Sequence, residues 1–288
     1  MKGASFWSER QYKSEIDDEG VLNGIIAMLI DRVDHSDVAG NACISWSSPV
    51  PCFGDAERSR VATLGLNPSN REFEDELGNE LTGPERRFHT LRSLGLDSWL
   101  DADSRHFDLM VETCRRYFST NPYDLWFRKL DLVLEGANVS YYDPVHMACH
   151  LDLVPFATYS KWSGLSTQIS SSLITGFGDV LGLVLRASTI QVLILNGMSV
   201  IRGFQEFTGV ELEAEEAPAW TLSRRSRRAV TGIAYTGQVD RVGGIGLDRE
   251  VRVLGFNHNL QGSFGVSRDT TDAIRSWIAD ECRHVAWL

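Results

Sequence analysis

Two short segments concentrate residue types that can do chemistry. The first is Gly65-Leu66-Asn67-Pro68-Ser69. Gly65 lets a ligand come close to the backbone, Pro68 stiffens the turn, and Asn67 is held on a rigid support. A carboxamide cannot usefully take up a proton, but it can orient water or a polar ring by hydrogen bonds. An ordinary Asn-Pro turn uses the same residues. The second segment is Phe256-Asn257-His258-Asn259-Leu260-Gln261-Gly262-Ser263. It sets an imidazole, amides and a lone leucine on one Gly-flanked loop. A lone histidine is commonly structural. Leu260, at the tip of a polar loop, is expected to be exposed.

Both segments follow apolar runs that read as buried strands, at residues 60–66 and 250–256. Two further strands are expected at 149–154 and 190–195, and another at 229–235. Helical periodicity marks 21–33, 103–118, 122–134, 173–185, 198–207 and 269–282, the last introduced by Ser267 or Arg268. Residues 84–94 read as a helix with Pro84 at its first position, and residues 41–55 as a loop. Short apolar strands alternating with helices predict an α/β fold: a three-layer αβα sandwich around a central, mainly parallel sheet. Ligands of such sheets bind beyond the carboxyl ends of the strands. The residues just after Leu66, Val154, Leu195 and Phe256 therefore form the expected rim of a site.

The chain has 288 residues, 43% hydrophobic and 23% charged, as expected of one globular domain with a real core. Residues 1–50 read as a helical extension and 71–136 as a helical insert. No run of 18 apolar residues is present, so no membrane span is expected. The first twenty residues are polar and carry several acids, unlike a signal peptide, so the cytoplasm is the expected location. The five cysteines include no C-x-x-C pair and are expected to be reduced structural thiols. His150 follows Cys149, but no second ligand pair completes a metal site. No cofactor and no obligate protein partner are expected. The net charge of −11 disfavours nucleic acid taken alone. Its distribution matters more. Acids gather at 72–80 and 211–216, and bases at Arg224, Arg225, Arg227 and Arg228, where they suit phosphates or simply a solvated hairpin edge.

Taken together, Gly65-Leu66-Asn67-Pro68 after the first strand and the His258-bearing loop after the last one resemble the uracil-DNA glycosylase superfamily. The resemblance covers residues 51 to the C-terminus. It implies an enzyme that flips a base out of DNA and hydrolyses its N-glycosidic bond, leaving an abasic site. It places Gly65, Leu66, Asn67, Pro68 and Ser69 around the base and gives His258 or Asn257 the departing base. Asn259, Leu260 and Gln261 then meet DNA, with Leu260 as the wedge that fills the vacated stack. The loop has no His-Pro-Ser, and Asn67 stands where the most active branch has Asp, so general-base action is not expected at this position.

Asp152 falls where that family commonly has an Asn that reads the pyrimidine edge. A carboxylate accepts from the cytosine N4 amino group and repels uracil O4, so a cytosine-type base is expected; capping a loop or pairing with an Arg would equally use an Asp there. Phe156, Tyr159 or Trp162 could stack on the extruded base. The insert brings Tyr117, Tyr123, Trp126 and Phe127, enough to surround a bulky 5-substituent. By resemblance to an antiphage branch of the superfamily, the expected substrate is glucosylated hydroxymethylcytosine of phage DNA. A uracil or mismatch repair glycosylase, a non-catalytic sensor of modified DNA and a small-nucleoside hydrolase are the alternatives. Lys161 is the nearest lysine for a Schiff-base step.

Overall fold

A computed structural model of the chain describes residues 20–120, 124–223, 229–262 and 265–283. Arg224, Arg225, Arg227, Arg228, Tyr123 and Ser263, along with the acidic N-terminal stretch, lie outside the described residues.

The apolar runs become strands covered on both faces. β1 (Val61–Gly65), β2 (Ala148–Asp152) and β3 (Val192–Asn196) are buried at every residue, as parallel strands between helical layers must be. With β4 (Glu213–Glu216), β5 (Ile233–Val242) and β6 (Ile245–Phe256) they form a six-stranded sheet of order β2-β1-β3-β6-β5-β4. From β2 to β6 neighbours run parallel; β5 and β4 add on antiparallel. Helices flank this sheet, giving the expected αβα architecture.

The helices are α1 (Val21–Asp34), α2 (Asp37–Ala42), α3 (Leu91–Leu94), α4 (Ser104–Arg115), α5 (Tyr117–Thr120), α6 (Asp124–Leu134), α7 (Thr167–Phe177), α8 (Asp179–Ala187), α9 (Met198–Thr208) and α10 (Arg268–Cys282). Ser267 caps α10 by accepting from Thr270 N.

Three expectations change. The helix expected from Pro84 is a single 3-10 turn at Gly83–Glu85 followed by the short α3, whose start is fixed by the capping box of Thr90 and Ser93. The helix expected at 173–185 begins earlier, at Thr167, and divides at Gly178, where the Phe207 ring occupies the space of a side chain. Of the strand expected at 229–235 only 233–235 is strand; with 250–256 it belongs to a longer hairpin, turned at Gly243-Gly244 with φ of 58° and 80°, a pair of positive values that suits glycine. The Thr167–Ala187 stretch has the length and mean hydropathy of a membrane-crossing helix, 21 residues at 1.3, and half of its apolar window is buried within the protein. Leu181, Val184 and Leu185 belong to the core.

The extension and the insert share the sheet's core. Ile25, Ile26 and Leu29 of α1 join the same buried cluster as β1 and β3, and Arg32 forms a bidentate pair with Asp179 at 2.7 and 2.8 Å. Tyr117, Phe118 and Phe127 from the insert pack edge-on, tilted or stacked against Phe53 and Tyr141, the edge-on and stacked pairs in geometry that aromatic quadrupoles favour. These aromatics roof the sheet beside β2. All five cysteines are buried and free.

Candidate active site

The loop after β1 keeps pairing with β2 beyond the strands. Leu153 N donates to Gly65 O at 3.2 Å and Val154 N to Leu66 O at 2.9 Å. Ser69 then caps a 3-10 turn at Asn70–Glu72, which brings the chain back so that Glu72 faces the same space as Asn67. A cavity of about 250 Å³ opens there, at the carboxyl ends of β1 and β2. Its floor is Gly65 to Asn70; Glu72, His150 and Asp152 form one wall, and Phe53, Trp126, Phe127 and Trp162 supply rings.

Asn67 is anchored through its nitrogen. Nδ2 lies 3.0 Å from Pro68 O, 3.2 Å from Phe156 O and 3.1 Å from Thr158 Oγ1. Carbonyl oxygens only accept, so the atom facing them is the NH₂, and the orientation of the amide follows. Thr158 sends its own proton to Ser160 O at 2.7 Å, leaving its oxygen free to accept from Asn67. Asn67 lines the cavity, and its Oδ1 has no hydrogen-bond donor among the described residues. The site therefore offers a fixed acceptor.

The opposite wall carries two hydrogen bonds in series that lead to a His150–Asp152 contact. Register pairs Thr63 with His150 and Gly65 with Asp152, and residues two apart on a strand share a face. Tyr141 OH lies 2.5 Å from Thr63 Oγ1, Thr63 Oγ1 lies 2.7 Å from His150 Nδ1, and His150 Nε2 lies 3.5 Å from Asp152 Oδ1. If Tyr141 donates to Thr63 and Thr63 to Nδ1, the Nε2–H points at Asp152. The reverse order would turn a bare nitrogen lone pair toward a carboxylate and strand the buried Tyr141 proton. The first order gives Tyr141, Thr63 and His150 Nδ1 a partner each, as burial demands. Burial raises Tyr141 well above the ordinary phenol range, which keeps its proton in place. Asp152 is left with Oδ2 buried and without a hydrogen-bond partner among the described residues.

Gly65 makes this possible. A Cβ there would stand 2.3 Å from Asp152 Oδ1 and 2.9 Å from His150 Nε2. The glycine thus admits a carboxylate of the protein itself, where the sequence suggested room for a ligand.

Glu72 is a buried carboxyl that the sequence showed only as part of an acidic run. Tyr117 OH donates to it, 2.9 and 3.0 Å from its two oxygens, and Arg87 Nη1 stands 3.7 Å away. Burial, with Asp152 adding negative charge, pushes its pKa from 4.5 up to about 7 against the pull of Arg87 and Tyr117.

The loop after β6 sits differently from expectation. His258 is 4% exposed and Nε2 lies 2.6 Å from Trp220 O; burial lowers its pKa, so the ring is a neutral donor holding the 3-10 turn at Pro218–Trp220. Asn257 accepts from Ile233 N at 3.0 Å and donates to Thr231 O at 2.8 Å, which fixes the start of β5. Leu260 is 4% exposed and belongs to the core, because Asn196 at the end of β3 draws its backbone N–H inward at 3.4 Å. None of the three lines the cavity. Asn259 is exposed. Gln261 accepts from Asn196 Nδ2 at 2.7 Å and donates to Trp126 O at 3.2 Å, tying this loop to the aromatic wall.

Phe156 also corrects an expectation. Its ring packs on Phe177 with centroids 5.0 Å apart and is 2% exposed, so it contributes its carbonyl to Asn67 and no stacking face. Tyr159 is exposed and meets Ser45 at 3.2 Å. Trp162 and Lys161 line the cavity. His150, Glu72, Phe53, Thr63 and Tyr141 were missed as site residues. The alternation His150-x-Asp152 on a predicted strand was the available signal.

No protein-family model matches the chain, and no characterised protein matches its sequence.

Proposed function

We propose that this protein is a DNA glycosylase that admits one extruded pyrimidine, of cytosine type, to the cavity beside Asn67 and hydrolyses its N-glycosidic bond. The observation that carries the reading is the pairing, in one cavity, of a nitrogen-anchored Asn67 whose Oδ1 is free to accept with an Asp152 whose Oδ2 has no donor. A cavity of about 250 Å³, below the roughly 300 Å³ of a typical small-molecule site, suits a single ring.

In this reading the base lies among Phe53, Trp126, Phe127 and Trp162, and Asp152 accepts from the N4 amino group. Asn67 Oδ1 accepts from a water and aims its lone pair at C1′. The glycosidic bond breaks with its electron pair leaving on the base nitrogen, and the sugar passes through an oxocarbenium-like state. The water adds to C1′ and its proton leaves to solvent, since an amide is not a base. Withdrawal of His258 from the cavity and the amide at position 67 favour a second reading, recognition without hydrolysis.

Mass spectrometry of bases freed from DNAs carrying uracil, hydroxymethylcytosine or its glucosylated form separates the readings. Release of a modified cytosine is expected, with the glucosylated form the leading candidate. Asn67→Ala should abolish release while DNA binding survives. Binding without any free base establishes the sensor; release of uracil alone removes the cytosine assignment.

A further inference from the structure

Glu72 has no place in the hydrolytic scheme, yet it is a 2% exposed carboxyl on the cavity wall with Asp152, itself 7% exposed. Two carboxyls buried against one cavity repel, and burial adds to the cost of ionising both. The groups that face Glu72 are Arg87 from the loop before α3, Tyr117 from α5, and Asp152 from β2. His150 and Lys161 complete the charged or titratable lining of the cavity. Arg87 at 3.7 Å and the Tyr117 hydroxyl favour the Glu72 anion; burial and Asp152 oppose it and prevail.

We infer that Glu72 and Asp152 act as an acid–carboxylate pair that recognises the N3–N4 edge of an aminopyrimidine, Glu72 supplying the proton shared with ring N3 while Asp152 accepts from the exocyclic amino group. The inference rests on the glycosylase reading for its biological ligand, but the pair is a binding site in its own right. Cytosine-type rings present an acceptor beside a donor on that edge, and this pair presents a donor beside an acceptor. Uracil presents N3–H beside O4, which puts donor against donor and acceptor against acceptor. Whether the proton sits on the Glu72 oxygen or on N3, the complex contains it, so binding takes up one proton wherever free Glu72 is ionised.

The test uses free 5-hydroxymethylcytosine and free uracil, titrated calorimetrically into the full-length protein from pH 5.5 to 8.5. For wild type, affinity for the cytosine base should fall about tenfold or more as pH rises through about 7, the effect of losing one buried hydrogen-bond donor. Glu72→Gln keeps a donor at every pH, so its affinity should vary less than about twofold over the same range. Tyr117→Phe removes a hydrogen bond that holds Glu72 ionised, so the midpoint should move to higher pH, a shift that a packing role would not produce. PH-independent binding by wild type, unchanged pH dependence in folded Glu72→Gln, preference for uracil, or no binding of the cytosine base would each overturn the pair. Base binding without release from DNA would sink the glycosylase reading and leave this one standing.

Discussion

Asn67 commits its amide nitrogen wholly to the protein, and that decides what another residue could do in its place. Asn67→Asp would look like a gain, an anion where a base is wanted. It would instead set a carboxylate oxygen against the Pro68 and Phe156 carbonyls, acceptors with no proton between them. A loss of about 1–3 kcal/mol is expected, measured by urea denaturation, with no rise in base release. Glu72 makes a second prediction at this scale. Its folded pKa, about 7, lies above its ordinary 4.5, so between those values the folded state holds a proton that the unfolded chain has lost. This contribution to stability is complete below about pH 4.5 and disappears as pH rises through about 7. It amounts to roughly 3 kcal/mol. Glu72→Gln should remove that component from the pH dependence of Tm; an unaltered profile would show that the proton is not there. Asn67 and Asp152 were legible because each is a polar residue at or just beyond the end of an apolar strand. Glu72 was not, because burial is a property of the returning 3-10 turn, and in the sequence it is one acid in a run of acids.

At the scale of elements, the loop after β6 shows where pattern misled. Its residue types suit contact with DNA, yet Asn257, His258 and Leu260 all turn inward to brace β5, the Pro218–Trp220 turn and the core. Polar neighbours on a loop do not reveal which carbonyls lie across from them; His258 needed Trp220 O, thirty-eight residues away. Leu260→Ala should therefore behave as a core truncation, costing about 2–5 kcal/mol. Activity per folded molecule should fall equally on single-stranded and duplex DNA; a loss confined to duplex would restore the wedge. The strand starts and the parallel core were legible because fully buried strands are uniformly apolar. The hairpin arms were not, because Asp240, Arg241, Asp248 and Arg249 interrupt the apolar signal, although Val239 and Val242 between and beside them are core residues.

Over the whole molecule, extension, insert and sheet share one hydrophobic cluster. The insert's 3-10 turn at Glu135–Ala137 lies so close to α10 that a Cβ on Gly136 would stand 2.3 Å from Arg275 O. Gly136→Ala should cost about 1–3 kcal/mol through overpacking. The loss should lower a single unfolding transition seen alike by calorimetry and tryptophan fluorescence. Two separated transitions would show that the insert folds by itself.

Gly65 carries a consequence for how such a site can change over generations. The space its side chain would fill is held by Asp152 and His150, so position 65 cannot enlarge while position 152 keeps a carboxylate in this orientation. In descendants of this chain, Ala or Ser at 65 should arrive only with a shorter residue at 152 and a shifted or replaced His150, and with a different preferred base. A survey of variants selected for function, in which the two positions drift independently, would count against this linkage.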